Sequence, residues 1–247
     1  LVNNAAIFLN AGGVEEDEAE WDAVWEKTLQ VNVRAPADLM RGAFEPGQQL
    51  RLNQLCERFN VSLSPLREAL SRLAAEGFVI AQDQRGYQVA PVSLANLEEV
   101  TRLRHMLECL ALQESIAHGD DKWEADLVAS FHRLELIERR RGGTPEYGLD
   151  EWEARHREFH LALIGACRMP VLLQFCESLL DFSDRYRRIF LRSRPLDRDI
   201  QCEHDVILQA ALDRDTAKAG KALGLHIERT ATNVARALRT SAEAAEA

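Results

Sequence analysis

Between residues 42 and 95 the apolar positions describe two helices and a hairpin. Leu50, Leu52, Leu55 and Phe59 recur at helical spacing, and Asn60 interrupts them. Ser64-Pro65 opens a second helix, with serine suited to the N-cap and proline to the first helical position. Leu66, Ala69, Leu70 and Leu73 mark the buried face of that helix, and Gly77 stops it. Phe78-Val79-Ile80 and Tyr87-Gln88-Val89, on either side of the polar turn from Gln82 to Gly86, predict a short hairpin. Two short helices with a tight junction and a trailing hairpin predict a winged helix-turn-helix.

Beyond residue 95 the chain is rich in Leu, Ala, Glu and Arg and shows no alternating strand. Helices are predicted at 95–118, 123–140, 150–166, 170–192, 199–213 and 215–239, separated by Gly119-Asp120-Asp121, Gly142-Gly143-Thr144-Pro145, Met169-Pro170 and Ser193-Arg194-Pro195. The expected fold is mainly α: an N-terminal winged helix-turn-helix and a C-terminal all-helical antiparallel bundle. The expected divisions are 1–41, 42–94, 95–240 and a tail at 241–247.

A length of 247 residues suffices for two ordinary domains, and 46% apolar with 28% charged residues is a globular composition. No apolar run approaches the roughly 20 residues of a membrane span, and Leu1–Asn10 lacks a basic start, so a cytoplasmic protein without membrane contact is expected. Cys56, Cys109, Cys167, Cys176 and Cys202 are scattered without a CxxC pair, which argues against disulfides and a thiolate zinc site. The net charge of −10 is unfavourable for a nucleic-acid binder. The acidity is uneven, however: residues 1–40 hold eight acids against Lys27 and Arg34, whereas residues 42–95 hold five acids against five arginines.

The second helix of the head presents Ser62, Ser64, Arg67 and Ser71 or Arg72 away from its apolar stripe. Arginine near the start of such a helix can bond a guanine edge or clamp a phosphate; a solvated polar face is the alternative. In the helical half, His156 and His160 stand four apart and share one helix face, within reach of a single cation, unless they are ordinary surface histidines. His204 and His226 sit on later predicted helices, while His105, His118 and His132 show no such relation.

The first forty residues, through Leu1-Val2-Asn3-Asn4-Ala5-Ala6, Trp21, Trp25 and Val31-Asn32-Val33, resemble the middle of a short-chain dehydrogenase. No GxxxGxG turn precedes them and no YxxxK pair follows, so a fusion scar or mis-set start is expected rather than an oxidoreductase. Phe44-Glu45-Pro46-Gly47-Gln48-Gln49-Leu50, Val61 to Leu70, Leu73-Ala74-Ala75-Glu76-Gly77 and Arg85-Gly86-Tyr87 resemble the reading head of GntR-family regulators. That resemblance implies DNA contacts by Ser62, Ser64, Arg67, Arg85 and Gly86, with Leu63 standing where many relatives carry a second arginine. The family's first helix would fall on residues 32–41, with Val33, Ala37 and Met40 as its apolar stripe.

Arg104-His105-Met106-Leu107-Glu108, Glu158-Phe159-His160, Glu203 to Ile207 and Leu225-His226-Ile227 resemble the FCD sensor domain of the FadR-type branch. The resemblance implies a homodimer that binds a pseudo-palindromic double-stranded DNA operator, commonly as a repressor. It also implies a divalent metal beside a small carboxylate effector, held by His156 (in the place of a usual aspartate), His160, His204 and His226. Four imidazoles point to zinc, or nickel, over hard cations. Arg104, Tyr186 and Arg187 are candidates to hold the effector carboxylate, with a solvated basic face at 185–188 as the alternative. Arg168-Met169 stands where relatives show Gly-Asn. No catalytic residue is expected. The rival enzyme, a metal-dependent hydrolase, would need Glu158 or Glu203 as its base.

Overall fold

The computed structural model describes residues 44–82, 86–141, 148–190 and 199–246. The dehydrogenase-like segment, the substitute stripe at Val33, Ala37 and Met40, and Arg85 lie outside the described residues. The chain divides into two compact units on either side of the Pro91–Val92 bond.

In the first unit, β1 (Gln49–Leu50) leads into α1 (Leu52–Phe59) and α2 (Leu63–Ala75), followed by β2 (Val79–Gln82) and β3 (Gly86–Val89). Leu55 and Phe59 of α1 and Leu66, Ala69, Leu70 and Leu73 of α2 are buried, as their spacing requires. Asn60 takes a left-handed conformation (φ 50°), with its N–H on Glu57 O and that of Val61 on Cys56 O, which turns the chain between the helices. Gly77 (φ 83°) closes α2 in the same way, with the Phe78 N–H on Leu73 O at 2.9 Å. The start of α2 corrects the expectation: Ser62, not Ser64, is the N-cap and makes no side-chain cap bond. Pro65 therefore stands in the first turn rather than at its first position, which is tolerated because N–H groups there have no helical partner. The hairpin forms as expected. The short β1 adds a third strand, pairing Gln49 with Gln88 and Leu50 with Tyr87, so the sheet order is β1-β3-β2.

The second unit contains α3 (Leu94–His118), α4 (Asp121–Arg141), α5 (Leu149–Leu163), α6 (Pro170–Phe190), α7 (Ile200–Leu212) and α8 (Thr216–Glu246). Cross-links fix their directions. Arg133 meets Glu158 and Trp123 Nε1 donates to Ala162 O, so α4 and α5 are antiparallel. Tyr186 meets Ser93 and Ser183 meets Arg104, so α3 and α6 are antiparallel. The non-sequential α4 and α7 run side by side in one direction, through Glu135–Gln201 and Glu138–His204. Leu112, Leu127, Leu134, Phe159, Leu163, Cys176, Ile207 and Leu223 belong to one core cluster and are essentially inaccessible. Two helix ends differ from expectation. Helix α5 stops at Leu163, where the chain turns through Gly165, and α8 runs to Glu246 through the Ala/Glu-rich segment expected to be a tail.

The corner between α3 and α4 depends on Gly119. Its φ of −65° is ordinary, but a Cβ there would stand 2.2 Å from Trp123 Cε3 and 2.8 Å from Ser115 O. The Trp123 ring is held by its bond to Ala162 O (2.9 Å) and by Arg214 stacked 5.0 Å above it.

Candidate metal centre and candidate nucleic-acid interface

Four imidazoles meet in the second unit. His156 and His160 come from α5, His204 from α7 and His226 from α8, and one ring nitrogen from each lies within 4.8 Å of the others. All four residues are 3% exposed or less. Ring centroids are separated by 4.5 Å (His156–His160) to 5.9 Å (His156–His226), so the rings converge instead of stacking as one column. The i, i+4 spacing supplies the α5 pair, and the packing of α7 and α8 brings the other two to it.

Carboxylates surround this group. His226 Nδ1 donates to Glu203 Oε2 at 2.9 Å; Glu108 Oε2 lies 3.7 Å from His160 Nδ1, and Glu138 Oε1 lies 4.0 Å from His204 Nδ1. His156 instead stacks on Trp152 at 4.7 Å, and Trp152 Nε1 donates to Glu138 Oε1. Among the described residues, His156 Nδ1 and both ring nitrogens of His160 are buried without a hydrogen-bond partner. Burial, and secondarily the Arg187 charge, depresses the His156 pKa well below the ordinary imidazole value. Burial also lowers that of His160, opposed by the Glu108 carboxylate. Buried neutral imidazoles with unsatisfied lone pairs form a donor set that fits a borderline cation of the zinc class, while hard cations favour oxygen ligands.

The candidate effector residues behave differently from expectation. Arg104 is buried and bidentate on Glu108 (Nε–Oε1 2.6 Å, Nη2–Oε2 3.1 Å), with Nη1 on Ser183 Oγ at 2.7 Å. Burial alone would raise the Glu108 carboxyl, but Arg104 and His160 hold it down at about 2. Arg187 reaches the same Ser183 Oγ at 3.3 Å and also binds Glu153 Oε2 (2.6 Å) and Asp184 Oδ1 (2.5 Å). Ser183 thus joins two guanidinium groups whose charges are already met by protein carboxylates, as buried charges require. Arg185 and Arg187 are both 4% exposed, so the solvated basic face does not form there. Tyr186 leaves the trio: its hydroxyl lies on Ser93 O and Asn96 Oδ1, each at 3.0 Å, and receives the Ser93 N–H, which fixes the first turn of α3. Glu158 is taken by Arg133 and Arg155, away from the histidines.

In the first unit Ser62, Ser64 and Arg67 are exposed on the first turns of α2, and Leu63 is 39% exposed beside them. Tyr87 of β3 bonds Ser71 Oγ at 2.9 Å and Arg67 O at 3.4 Å, tying the wing to this helix. Arg67, Gly86 and Tyr87 line a polar groove of about 850 Å³ together with Arg51, Asn53 and Gln54. The last three were not singled out from sequence; their only signal is a run of polar positions at the start of α1.

Two family profiles match the chain: Bacterial regulatory proteins, gntR family, over residues 28–89, and the FCD domain over residues 99–229. The first begins inside the segment that resembles a dehydrogenase. The HTH-type transcriptional repressor GlaR of Escherichia coli K12 is 39% identical over 77% of this chain and 87% of its own length. The HTH-type transcriptional regulator BphR of Paraburkholderia xenovorans LB400 is 38% identical over 82% of each chain. The solved structure of E. coli McbR/YncC shares the fold, with a TM-score of 0.72 at 22% identity, covering 85% of this chain and 97% of its own.

Proposed function

From the premise that the chain belongs to the GntR family of bacterial regulatory proteins and carries an FCD domain, we propose that it is a metal-dependent, ligand-responsive transcriptional repressor. Membership makes it a transcription regulator, and this reading is preferred to the hydrolase and oxidoreductase alternatives. The observation that carries the finer reading is the convergence of four buried histidines within 4.8 Å.

The head reads DNA through Ser62, Ser64 and Arg67 on α2 and through Arg85 and Gly86 of the wing. Arg67 bonds a base edge or a phosphate while Tyr87 keeps wing and helix in register. A homodimer places two heads on the half-sites of a pseudo-palindromic operator. In the sensor half, His156, His160, His204 and His226 hold a divalent cation, zinc or nickel. A cation held there would supply a Lewis-acidic positive charge suited to a small carboxylate. Arg104 and Arg187 do not grip the carboxylate as free arms, because Glu108, Glu153 and Asp184 occupy them; they order the wall behind it through Ser183. Effector binding shifts the population of sensor conformations and with it the affinity for the operator.

The test is DNA binding by the full chain to duplexes selected from a random pool, with zinc or a chelator, with a panel of small dicarboxylic and hydroxy acids. His160→Ala serves as the comparison. Affinity should depend on zinc plus one class of acid in the wild type and be indifferent to both in His160→Ala. Equal affinity under every condition would refute ligand response.

A further inference from the structure

The four donors are neutral, so a divalent cation among them brings two uncompensated positive charges into a water-poor interior. Such a charge is costly unless anionic groups stand close by. The chain provides them one bond further out, on three separate helices: Glu108 on α3, Glu138 on α4 and Glu203 on α7. Each faces the Nδ1 atom of a different histidine, at 3.7, 4.0 and 2.9 Å from His160, His204 and His226 respectively. An ionised carboxylate can only accept, so at 2.9 Å Glu203 selects the His226 tautomer with the proton on Nδ1, and at 3.7 and 4.0 Å the negative charges of Glu108 and Glu138 favour the same tautomer, leaving Nε2 to coordinate. His156 differs in having no carboxylate near its ring among the described contacts: Trp152, stacked at 4.7 Å, fixes it, and its buried Nδ1 is open to a ligand.

Resting on the metal reading above, we propose that Glu203, Glu138 and Glu108 are positioning residues of the centre. They orient three imidazoles to bind through Nε2, with His156 binding through Nδ1, and Glu138 and Glu203 offset part of the charge that the ligands leave unmet. Glu138 has a double role, because it also accepts from Trp152 Nε1 (3.1 Å) and so supports the ring on which His156 stacks. Glu203 divides its oxygens between His226 and Arg229, each at 2.9 Å. Glu108 is shared with Arg104, so its removal would strand a buried guanidinium and confuse the result.

The experiment uses the full chain with Glu203→Gln and Glu138→Gln, and with Glu228→Gln as control. Glu228 pairs with His105 Nδ1 at 3.0 Å but is exposed and outside the cluster. Zinc affinity is measured by chelator competition, and cobalt(II) absorption reports ligand geometry. Each of the two site variants should lose about 10–100-fold in zinc affinity and alter the cobalt spectrum, with the control unchanged. In the zinc-loaded wild type, imidazole nitrogen–proton NMR should show three cluster rings protonated on Nδ1 and one on Nε2. Because that spectrum needs no variant, a substitution that fails to fold leaves the test standing. Wild-type affinity in both variants, or Nδ1 coordination at His204 and His226, would overturn the proposal. A wild-type chain that binds no zinc would overturn the metal centre itself, a different result read in the first titration.

Discussion

Mild acid should weaken the metal-free protein through its buried histidines. The folded state holds His156 neutral, because burial and the Arg187 charge depress its pKa well below the ordinary value. The unfolded chain has no such constraint and takes up a proton near pH 6.5. Stability from this group is therefore complete above that pH and falls as the pH drops toward the folded pKa. One unit below 6.5 an unfolded imidazole gains about 1.4 kcal/mol from protonation that the folded one forgoes. Between pH 7.5 and 5.5 His156 alone should thus remove about 1.4 kcal/mol. His160, depressed by the same burial but opposed by Glu108, brings the total to at most about 2.8 kcal/mol. Glu153 acts the other way: burial raises its pKa, so its contribution improves as the pH falls. The comparison that isolates the histidine is the difference between wild type and His156→Leu, which share Glu153. Urea unfolding at both pH values with chelator present, followed by tryptophan fluorescence, measures it. His156→Leu should retain about 1.4 kcal/mol more of its neutral-pH stability at pH 5.5. If both proteins lose the same amount, the folded chain does not keep this imidazole neutral, and the interior is wetter than the packing implies.

Four further outcomes are expected. Arg67→Ala should lower operator affinity by about 1–3 kcal/mol in a binding titration, with a shallower salt slope if the lost partner is a phosphate. Replacing Arg187 by Leu leaves Glu153 buried without its cation, while Asp184 keeps Arg157 at 3.6 Å, and should cost about 3–5 kcal/mol in urea unfolding. Leu127→Ala, at a position with no exposure, should cost about 2–5 kcal/mol by the same measurement. Tyr186→Phe removes the hydroxyl that receives the Ser93 N–H and should cost about 0.5–1.5 kcal/mol, with faster amide exchange at residues 93–96.

Local pattern carried the elements and nonlocal pairing did not. Leu66, Ala69, Leu70 and Leu73 named the buried face of α2 because a 3.6-residue period is visible in four letters. Strand β1 escaped because two residues have no period, and its existence depends on β3. The extension of α8 through Ser241–Glu246 followed helix propensity in a segment with no apolar stripe to announce it. At the centre, His156 and His160 were legible as an i, i+4 pair, and resemblance supplied His204 and His226. Arg104, Tyr186 and Arg187 stood out in the sequence, but their partners Glu108 and Ser183, Ser93 and Asn96, and Glu153 and Asp184 come mostly from other helices. A sequence shows that a buried arginine needs an acid; only packing says which one. The same holds for Glu138, which nothing near it in sequence marks as the neighbour of His204.

The missing side chain at Gly119 bears on how this protein can vary. At a half-buried turn with unexceptional backbone angles, replacing glycine by alanine ordinarily does no harm and often helps by narrowing the unfolded ensemble. Here the added carbon would strike a Trp123 ring that cannot retreat, because Ala162 and Arg214 hold its two sides. Position 119 should therefore behave in a saturation scan like a core site, rejecting even the smallest side chain, and its neighbour Asp120, whose carboxylate accepts the Trp123 N–H at 2.9 Å, should favour residues that can cap α4. Drift at this corner is confined to paired changes in which the tryptophan shrinks first, so the junction of α3 and α4 should be among the slowest surface features of this chain to diverge.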